Sequence, residues 1–581
     1  MNLSTMRRFE VRSEFMNSGW ASSARRRFSA WLWLCLLLVA MPSAALADLL
    51  PHAPLIPTES DFARLTRVRA LMASSTREHP STVRIVFYGQ SITTYPWWYE
   101  LEPLLRAAYP TVNFEVSNLA IPGFQDAYLE RTAPTDLIPV QPDLLIMHAF
   151  GPGAAMLSLL RDYRAATGSE VILQQDFPIE KSALSENTDP KTIDINDQWS
   201  FRNYVSLPLA ADGSGSCLAR FREPWKDYCR TNGIDPASIL APDQFHPGLD
   251  SGHLLAEYIA AYLLPYGRKP ELDPLNCPTV QTLGLDASKG WFNGQLTCEV
   301  TGRIIDLGFD QTLPDSIEVL IDGAKPSAHQ ELYANTRVSV TQNHAWPTLS
   351  RVSWQAPVLE EEWKFVPFDF SSDQEWFRFK VIGSVTGEDG IGTNTVRFVS
   401  KSGRVVIEDY DHWLARTVHF DYGRVPDGFY ATWKTYVRGV DRVNAGIQPP
   451  SSQQPGWITL ANGLSEESHR LVLTTKPGSE FPLRQLRLKS PAGKASISVI
   501  TPPHPPAPGE LVVRTVTGQT LLIWTLDPAW VLKSSASLDS KATWKEVPAA
   551  RIRTGTSSQF LLLLDSDATS FYRLVRVGAS N

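Results

Sequence analysis

The stretch Arg84-Ile85-Val86-Phe87-Tyr88-Gly89-Gln90-Ser91-Ile92-Thr93 decides how this chain is read. A short run of β-branched and aromatic residues halts at Gly-Gln-Ser, and an amphipathic, helix-like segment begins shortly afterwards. A serine on such a strand-to-helix turn has its hydroxyl lifted off the sheet edge. Its backbone N–H points into the same space, near the positive end of the helix dipole. Nucleophilic chemistry at a serine requires both, an exposed oxygen and a donor for the oxyanion that its attack creates. Gly and Ser also serve plain turn geometry, so the reading depends on what accompanies them.

Around this turn, from about Ser60 to Tyr266, short apolar runs alternate with helical stretches. The pattern predicts strands at Arg84–Tyr88, Asn113–Val116, Leu144–Met147 and Val171–Gln174, and helices at Trp97–Ala108, Ala154–Ala166 and His253–Leu264. Alternation on this scale specifies an α/β domain, a parallel sheet covered on both faces. The polar segment Ile179 to Gln198 reads as a long excursion, a flap over the sheet's C-terminal edge. After Pro274 helical periodicity gives way to period-two segments such as Trp376-Phe377-Arg378-Phe379-Lys380-Val381, punctuated by turns such as Gly387-Glu388-Asp389-Gly390. This region reads as an all-β sandwich, long enough to hold two. Thr501 to Gly509 is a stiff proline-rich linker, followed by a small β module with strands near Thr520–Trp524, Gln559–Leu564 and Phe571–Val575. The expected partition is 1–47 signal peptide, 48–272 α/β domain, 273–497 β-sandwich region, 498–509 linker and 510–581 C-terminal module.

At 581 residues the chain exceeds what one hydrophobic core supports, in keeping with several domains. Its net charge of −7 argues against nucleic-acid binding by bulk electrostatics. Arg25-Arg26-Arg27, the apolar run Trp31 to Ala40 and the small-x-small site Ala45-Leu46-Ala47 form an export signal, with Met16 as an alternative start. The apolar run is short for a bilayer span and is followed by Pro42, so no stable membrane span is expected after cleavage. The chain is expected to be secreted, extracellular or periplasmic. Cys217, Cys229, Cys277 and Cys298 would remain, allowing three connectivities, of which Cys217–Cys229 with Cys277–Cys298 is preferred in an oxidising compartment.

A reactive serine needs a base, and the base needs an orienting group. Asp243-Gln244-Phe245-His246-Pro247 closes the α/β region, and Asp243 and His246 can meet around one loop turn. Between the two ends, Asn118-Leu119-Ala120-Ile121-Pro122-Gly123 follows the second strand. Gly123 would let a second backbone N–H approach a reacting carbonyl with no side chain in the way.

The three segments, in this order, resemble the SGNH (GDSL-type) hydrolases, and the phrase Phe-Tyr-Gly-Gln-Ser-Ile-Thr resembles a secreted subgroup of them. Gly89-Gln90-Ser91 matches the first block with Gln for Asp. Asn118 to Gly123 matches the second with Ala120 for Gly, and Asp243 with His246 matches the last. The resemblance covers Arg84 to Leu264 and implies a three-layer, flavodoxin-like α/β fold. It implies acyl transfer with Ser91 as nucleophile, His246 as base, Asp243 as its orienter, and the N–H groups of Ser91 and Gly123 as oxyanion donors. No cofactor and no metal are implied. The third block departs: the chain reads His148-Ala149-Phe150-Gly151 where Gly-x-Asn-Asp is expected, so a side-chain oxyanion donor is missing. Loss of such a donor costs on the order of 100- to 1000-fold in turnover. His148 is the nearest substitute, with Gln174, Gln175 and Asp176 next.

Tyr95-Pro96-Trp97-Trp98-Tyr99 follows the serine, and Trp97 is a candidate substrate contact as well as a core residue. His253 reads as a surface histidine at a helix start, and Asp409-Tyr410-Asp411-His412 as a strand-end turn, although its residue types would suit a metal. Trp457 to Leu464 and Glu467 to Leu473 resemble paired jelly-roll strands of β domains attached to carbohydrate acetyl-esterases, and the last module resembles small β modules of secreted proteins. The expectation is a secreted serine esterase acting on an acylated carbohydrate. A catalytically weak or inactive carbohydrate-binding protein on the same scaffold, and an esterase for lipid or aryl esters, are the alternatives.

Overall fold

Val83, Ile85 and Phe87 point to one side of the strand that leads to Ser91, and Val86 and Tyr88 to the other; all five are buried. A strand apolar on both faces belongs inside a sheet covered on both sides. In the computed structural model this strand, β1 (Thr82–Gly89), lies in a parallel sheet with β2 (Asn113–Asn118), β3 (Leu144–His148), β4 (Glu170–Gln174) and β5 (Cys217–Ala219). The order is β2-β1-β3-β4-β5, all parallel. Winding reverses between β1 and β3, which is the flavodoxin-like arrangement and opens a crevice at the C-terminal ends of those two strands. Ser91 follows β1 at that point. The structure describes residues 49–151, 153–265, 270–285, 291–292, 294–340, 346–414, 424–450, 456–476, 483–500, 511–516, 519–525, 527–537, 543–554, 558–562 and 570–577; the expected signal segment 1–47 and the proline-rich run 501–509 lie outside them.

The longer helices of this domain are α1 (Thr66–Ala73), α2 (Trp98–Ala108), α3 (Asp126–Asp136), α4 (Ala154–Thr167), α5 (Leu207–Ser214), α6 (Arg222–Asn232) and α7 (Leu249–Ala261). On one face α3, α4 and α5 pack through Leu129, Leu159, Leu160 and Leu207 against Val86, Leu145, Met147 and Leu173. On the other, α2 packs on α7, and Phe87 meets Trp97 edge to face. The segment expected to be a flap is tethered instead. Glu186 accepts bonds from Arg222 at 2.6 Å and from Tyr204 at 2.8 Å, with the Lys226 ammonium also 2.8 Å away. Among the described residues no helix is long and apolar enough to cross a membrane.

The β region is a sandwich with a second β unit nested in it. One sheet pairs Arg442–Val443, Ile317–Ile321, Ser468–Thr474, Gln295–Thr301 and Ser496–Val499 in that order, with Trp291–Phe292 beside Gln295–Thr301. The facing sheet runs Gly456–Asn462, Ile304–Phe309, Leu483–Lys489, Val280–Gly284. Leu296, Val300, Leu307, Val319 and Leu473 fill the space between. The neighbouring strands Gly456–Asn462 and Ser468–Thr474 therefore do not pair with one another; the chain crosses from one sheet to the other. Between Ile321 and Arg442 the chain builds another sheet, Tyr333–Asn335, Ala431–Val437, Glu361–Phe368, Arg378–Gly383, Gly387–Thr393, around a core containing Trp363, Phe365 and Phe379. The C-terminal module closes two small antiparallel sheets over Leu522, Trp524, Leu532 and Leu561.

The nested unit leans on the α/β domain. Trp413 enters the α/β core, its ring 4.6 Å from that of Phe124 and 4.5 Å from that of Tyr128. Arg131 donates to both oxygens of the buried Asp411 at 2.9 and 2.6 Å, and Arg337 reaches Asp136 at 2.8 Å. The Asp409–His412 segment is thus an anchoring turn. Its His412 ring lies among Phe365, Phe377 and Phe379, where burial lowers the imidazole pKa to about 4. Among the described residues no group of three or more His, Cys, Asp or Glu side chains is arranged to hold a metal ion.

The expected disulfides are corrected. Cys217, Cys229, Cys277 and Cys298 are four buried free thiols. Cys217 occupies β5 opposite Ile172, Cys229 lies on α6, and Cys298 is in the sandwich core opposite Leu471. Each takes a position that suits a small hydrophobe. Burial pushes the Cys229 and Cys298 thiols up to about 11, and Cys217 higher still.

Candidate active site

Gly89 ends β1 with φ +152°, and a Cβ placed there would lie 1.8 Å from the His148 carbonyl oxygen on β3. Only glycine lets the two strand ends approach this closely. Gln90 is extended, its N–H donating to the same His148 oxygen at 3.2 Å, and Ser91 opens a single helical turn, Ser91–Thr94. Ser91 is left partly exposed just past the end of β1.

Its partner arrives from the end of the domain. The loop before α7 is pinched by a bridge between Leu240 and Pro247 and by the Ala241 N–H donating to the His246 carbonyl at 2.9 Å. Gln244 takes φ +57° at the loop tip, turning the chain so that Asp243 Oδ1 accepts the N–H groups of Phe245 and His246, both at 3.0 Å. Asp243 Oδ2 stands 2.7 Å from His246 Nδ1, and His246 Nε2 stands 2.8 Å from Ser91 Oγ. Tyr95 stacks on the imidazole, ring centroids 4.4 Å apart and planes within 5°, fixing the ring's tilt.

Burial pushes the Asp243 carboxyl upward, but the His246 and Phe245 N–H bonds and the imidazole outweigh it and hold the pKa at about 2. A carboxyl depressed in the folded state stabilises the fold fully above its unfolded pKa, near 3.9. That contribution is lost as pH falls through the folded value. The difference in thermal midpoint between the parent chain and Asp243→Asn should accordingly be constant at neutral pH and shrink between about pH 4 and pH 2. A difference that is flat down to pH 2 would show that the carboxylate is not held this way.

The second segment is tied to the first. Asn118 Nδ2 donates to the Thr93 carbonyl at 2.7 Å while its Oδ1 accepts the Ala120 N–H at 3.0 Å, and the Ile121 N–H donates to the Gly89 carbonyl at 2.8 Å. Pro122-Gly123 then forms a tight turn, closed by the Phe124 N–H on the Ile121 carbonyl at 3.1 Å, with Gly123 at φ +76°. This is the backbone that a Pro-Gly turn requires. The N–H groups of Ser91 and Gly123 donate to no other group among the described residues.

The remaining candidates lie elsewhere. Trp97 is 2% exposed, its indole N–H donating to the Ile92 carbonyl at 2.8 Å; as a substrate contact it is corrected to a core residue. His148 and Asp176 are buried, with His148 Nε2 2.8 Å from Asp176 Oδ1, so neither offers surface to a ligand. Gln174 and Gln175 are buried too. Asp176 also accepts from Arg202 Nε at 2.8 Å and Asn203 Nδ2 at 2.9 Å. Burial raises the Asp176 carboxyl, but Arg202 and His148 overcome it and keep it below the ordinary carboxylate range. Arg202, on a π-helical turn, also donates to the Ala149 carbonyl and thereby holds the loop after β3. That loop presents Phe150, whose ring is 5.9 Å from Phe245, beside His246. His253 is buried rather than on the surface, 2.5 Å from Glu100 on α2.

Arg202, Asn203 and Phe245 escape sequence reasoning, because their partners lie on other elements. No protein-family model matches the chain, and no curated protein is similar to it in sequence. Solved structures similar to it include a two-domain esterase (CEX) active on acetylated mannans, co-crystallised with mannopentaose. That similarity has 12% identity over 73% of this chain and 95% of the other, with a TM-score of 0.29. Axe2, an acetylxylan esterase from Geobacillus stearothermophilus, is similar at 20% identity over 32% of this chain and 96% of the other, TM-score 0.26. A putative GDSL-like lipase from Parabacteroides merdae is similar at 17% identity over 32% of this chain and 97% of the other, TM-score 0.26.

Proposed function

We propose that the protein is an exported serine esterase that removes acetyl groups from a carbohydrate, with Ser91, His246 and Asp243 as its catalytic residues. The observation that carries this reading is the unbroken chain of contacts from Ser91 Oγ through both imidazole nitrogens to the Asp243 carboxylate, at 2.8 and 2.7 Å. It stands on the crevice edge of a doubly wound sheet, where such folds place their ligands.

In the reaction, His246 Nε2 takes the Ser91 proton as Oγ attacks the ester carbonyl carbon. The oxyanion is received by the N–H groups of Ser91 and Gly123. The bond to the sugar oxygen breaks, His246 returns its proton to that oxygen, and the sugar leaves as an alcohol. Water then attacks the acetyl-enzyme with His246 again as base, releasing acetate and restoring Ser91. Asp243 holds the imidazole by Nδ1–H throughout and stabilises its cation. Phe150, standing where a side-chain donor would be expected, leaves this to two backbone donors and favours a second reading, a binding protein on the same scaffold.

The test is hydrolysis of a small aryl acetate and of an acetylated oligosaccharide by the full chain, before and after a serine-directed phosphonate. Turnover abolished by an adduct that maps to Ser91 is expected. Turnover that survives the reagent overturns the serine mechanism, and absence of turnover on either ester favours the binding protein.

A further inference from the structure

We infer that the nested β unit supplies part of the substrate site, with Trp346 as a specificity-determining residue that receives a sugar ring beside Gly123. The inference rests on the esterase reading of Ser91 and extends it to the side of the site built by another part of the chain.

The contact begins with an absence. Gly123 has no side chain, and a Cβ there would lie 3.4 Å from Trp346 Cη2 and 3.5 Å from Cζ2. The outer edge of the indole is therefore laid against the turn that carries the second unengaged N–H. Trp346 packs edge to face on Phe124, ring centroids 5.6 Å apart, and lies 6.4 Å from Trp413. Both neighbours are fully or nearly fully buried, whereas Trp346 is only partly so. An indole meant only as an anchor would be covered as Trp413 is. The underlying attachment is firm: Trp413 in the α/β core and the paired Arg131–Asp411 contact hold the unit in place. Trp346 is thus presented over the Gly123 turn from a fixed base.

The chemistry of this edge selects a ligand class. The Gly123 turn carries a backbone N–H that no described residue accepts, and the partly exposed indole of Trp346 lies against the same turn. A pyranose has an apolar C–H face and a hydroxyl rim, and it matches both, the apolar face on the indole and the rim toward solvent and donors. A small acyl group needs only the donors. The ring therefore acts on the alcohol part of the ester.

The experiment compares the full-length parent with Trp346→Leu and Trp346→Phe on two substrates, an acetylated oligosaccharide and a small aryl acetate. Leu keeps apolar packing on Phe124 without an aromatic face, and Phe keeps a face. Expected is a fall of about tenfold or more in the ratio of kcat/KM for the oligosaccharide to that for the aryl acetate in Trp346→Leu. The change should be carried by KM, and the ratio should largely return in Trp346→Phe. A ratio equal to that of the parent, whether both activities fall together or neither does, overturns the inference and makes Trp346 a packing residue. A parent inactive on both esters overturns the esterase reading itself, and this inference with it, so the two failures are separable.

Discussion

Replacing Ser91 or His246 by alanine is expected to lower kcat on a small aryl acetate by on the order of 10⁴- to 10⁶-fold, with KM changed little. In the proposed mechanism each substitution removes a member of one proton-transfer chain, so the losses should not add: the double variant should be as slow as either single one. Residual turnover above water would come from the N–H groups of Ser91 and Gly123, which neither substitution touches. Both side chains lie at the crevice rim, Ser91 partly exposed and His246 with 19% of its side-chain surface accessible, so thermal midpoints should move little. Steady-state kinetics beside a melting curve checks both parts. Single variants within tenfold of the parent, or a double variant whose loss is the product of the two, would remove these residues from a shared mechanism.

Gly89→Ala is expected to damage the folding of this domain severely. Two costs combine. The backbone at φ +152° is closed to an L side chain, a strain of about 1–3 kcal/mol. The added methyl would also meet the His148 carbonyl oxygen at 1.8 Å, which forces β1 and β3 apart and costs a further 1–3 kcal/mol, roughly, as overpacking. The expected loss is about 2–6 kcal/mol, read as a lower denaturant midpoint, with the proposed ester turnover lost even in the fraction that folds because Ser91 moves with the strand end. A variant as stable as the parent would show that the strand ends are not held this close.

The parallel sheet was legible because its strands are apolar on both faces and end in turn residues; β1, β3 and β4 lie close to the predicted segments. α3 was not legible, since Pro134 and many polar residues hide its buried side, and β5 is only three residues long. α7 begins at Leu249, before His253, because the Ser251 hydroxyl accepts the Gly248 N–H at 2.7 Å and starts the helix there. In the β region, period-two patterning identified strands but not partners. Nothing local tells Ile317–Ile321 that it pairs with Ser468–Thr474 across a nested unit. At the candidate site, the Gly-Gln-Ser turn and the Asp-x-x-His loop are legible as short motifs. Trp346, Arg202 and Phe245 do not, as their roles arise from contacts between distant segments. The cysteine pairing failed for a related reason: nearness of two thiols in sequence says nothing about which apolar core each one fills.

The nesting of one β unit inside the other bears on how the chain reaches its fold. Within the sandwich, Ile317 pairs with Val443 and Val319 with Leu473, so half of that sheet waits for strands made much later. Contacts so distant in sequence ordinarily impose a heavy loop-closure cost. The nested unit relieves it, because Tyr333–Asn335 pairs with Ala431–Val437 near its own two ends. Once that unit has folded, Ile321 and Arg442 become close neighbours, and the intervening residues behave as a short rigid link. A long search becomes a local one, and the insertion works as a clasp that lets the split sandwich assemble as if its chain were continuous.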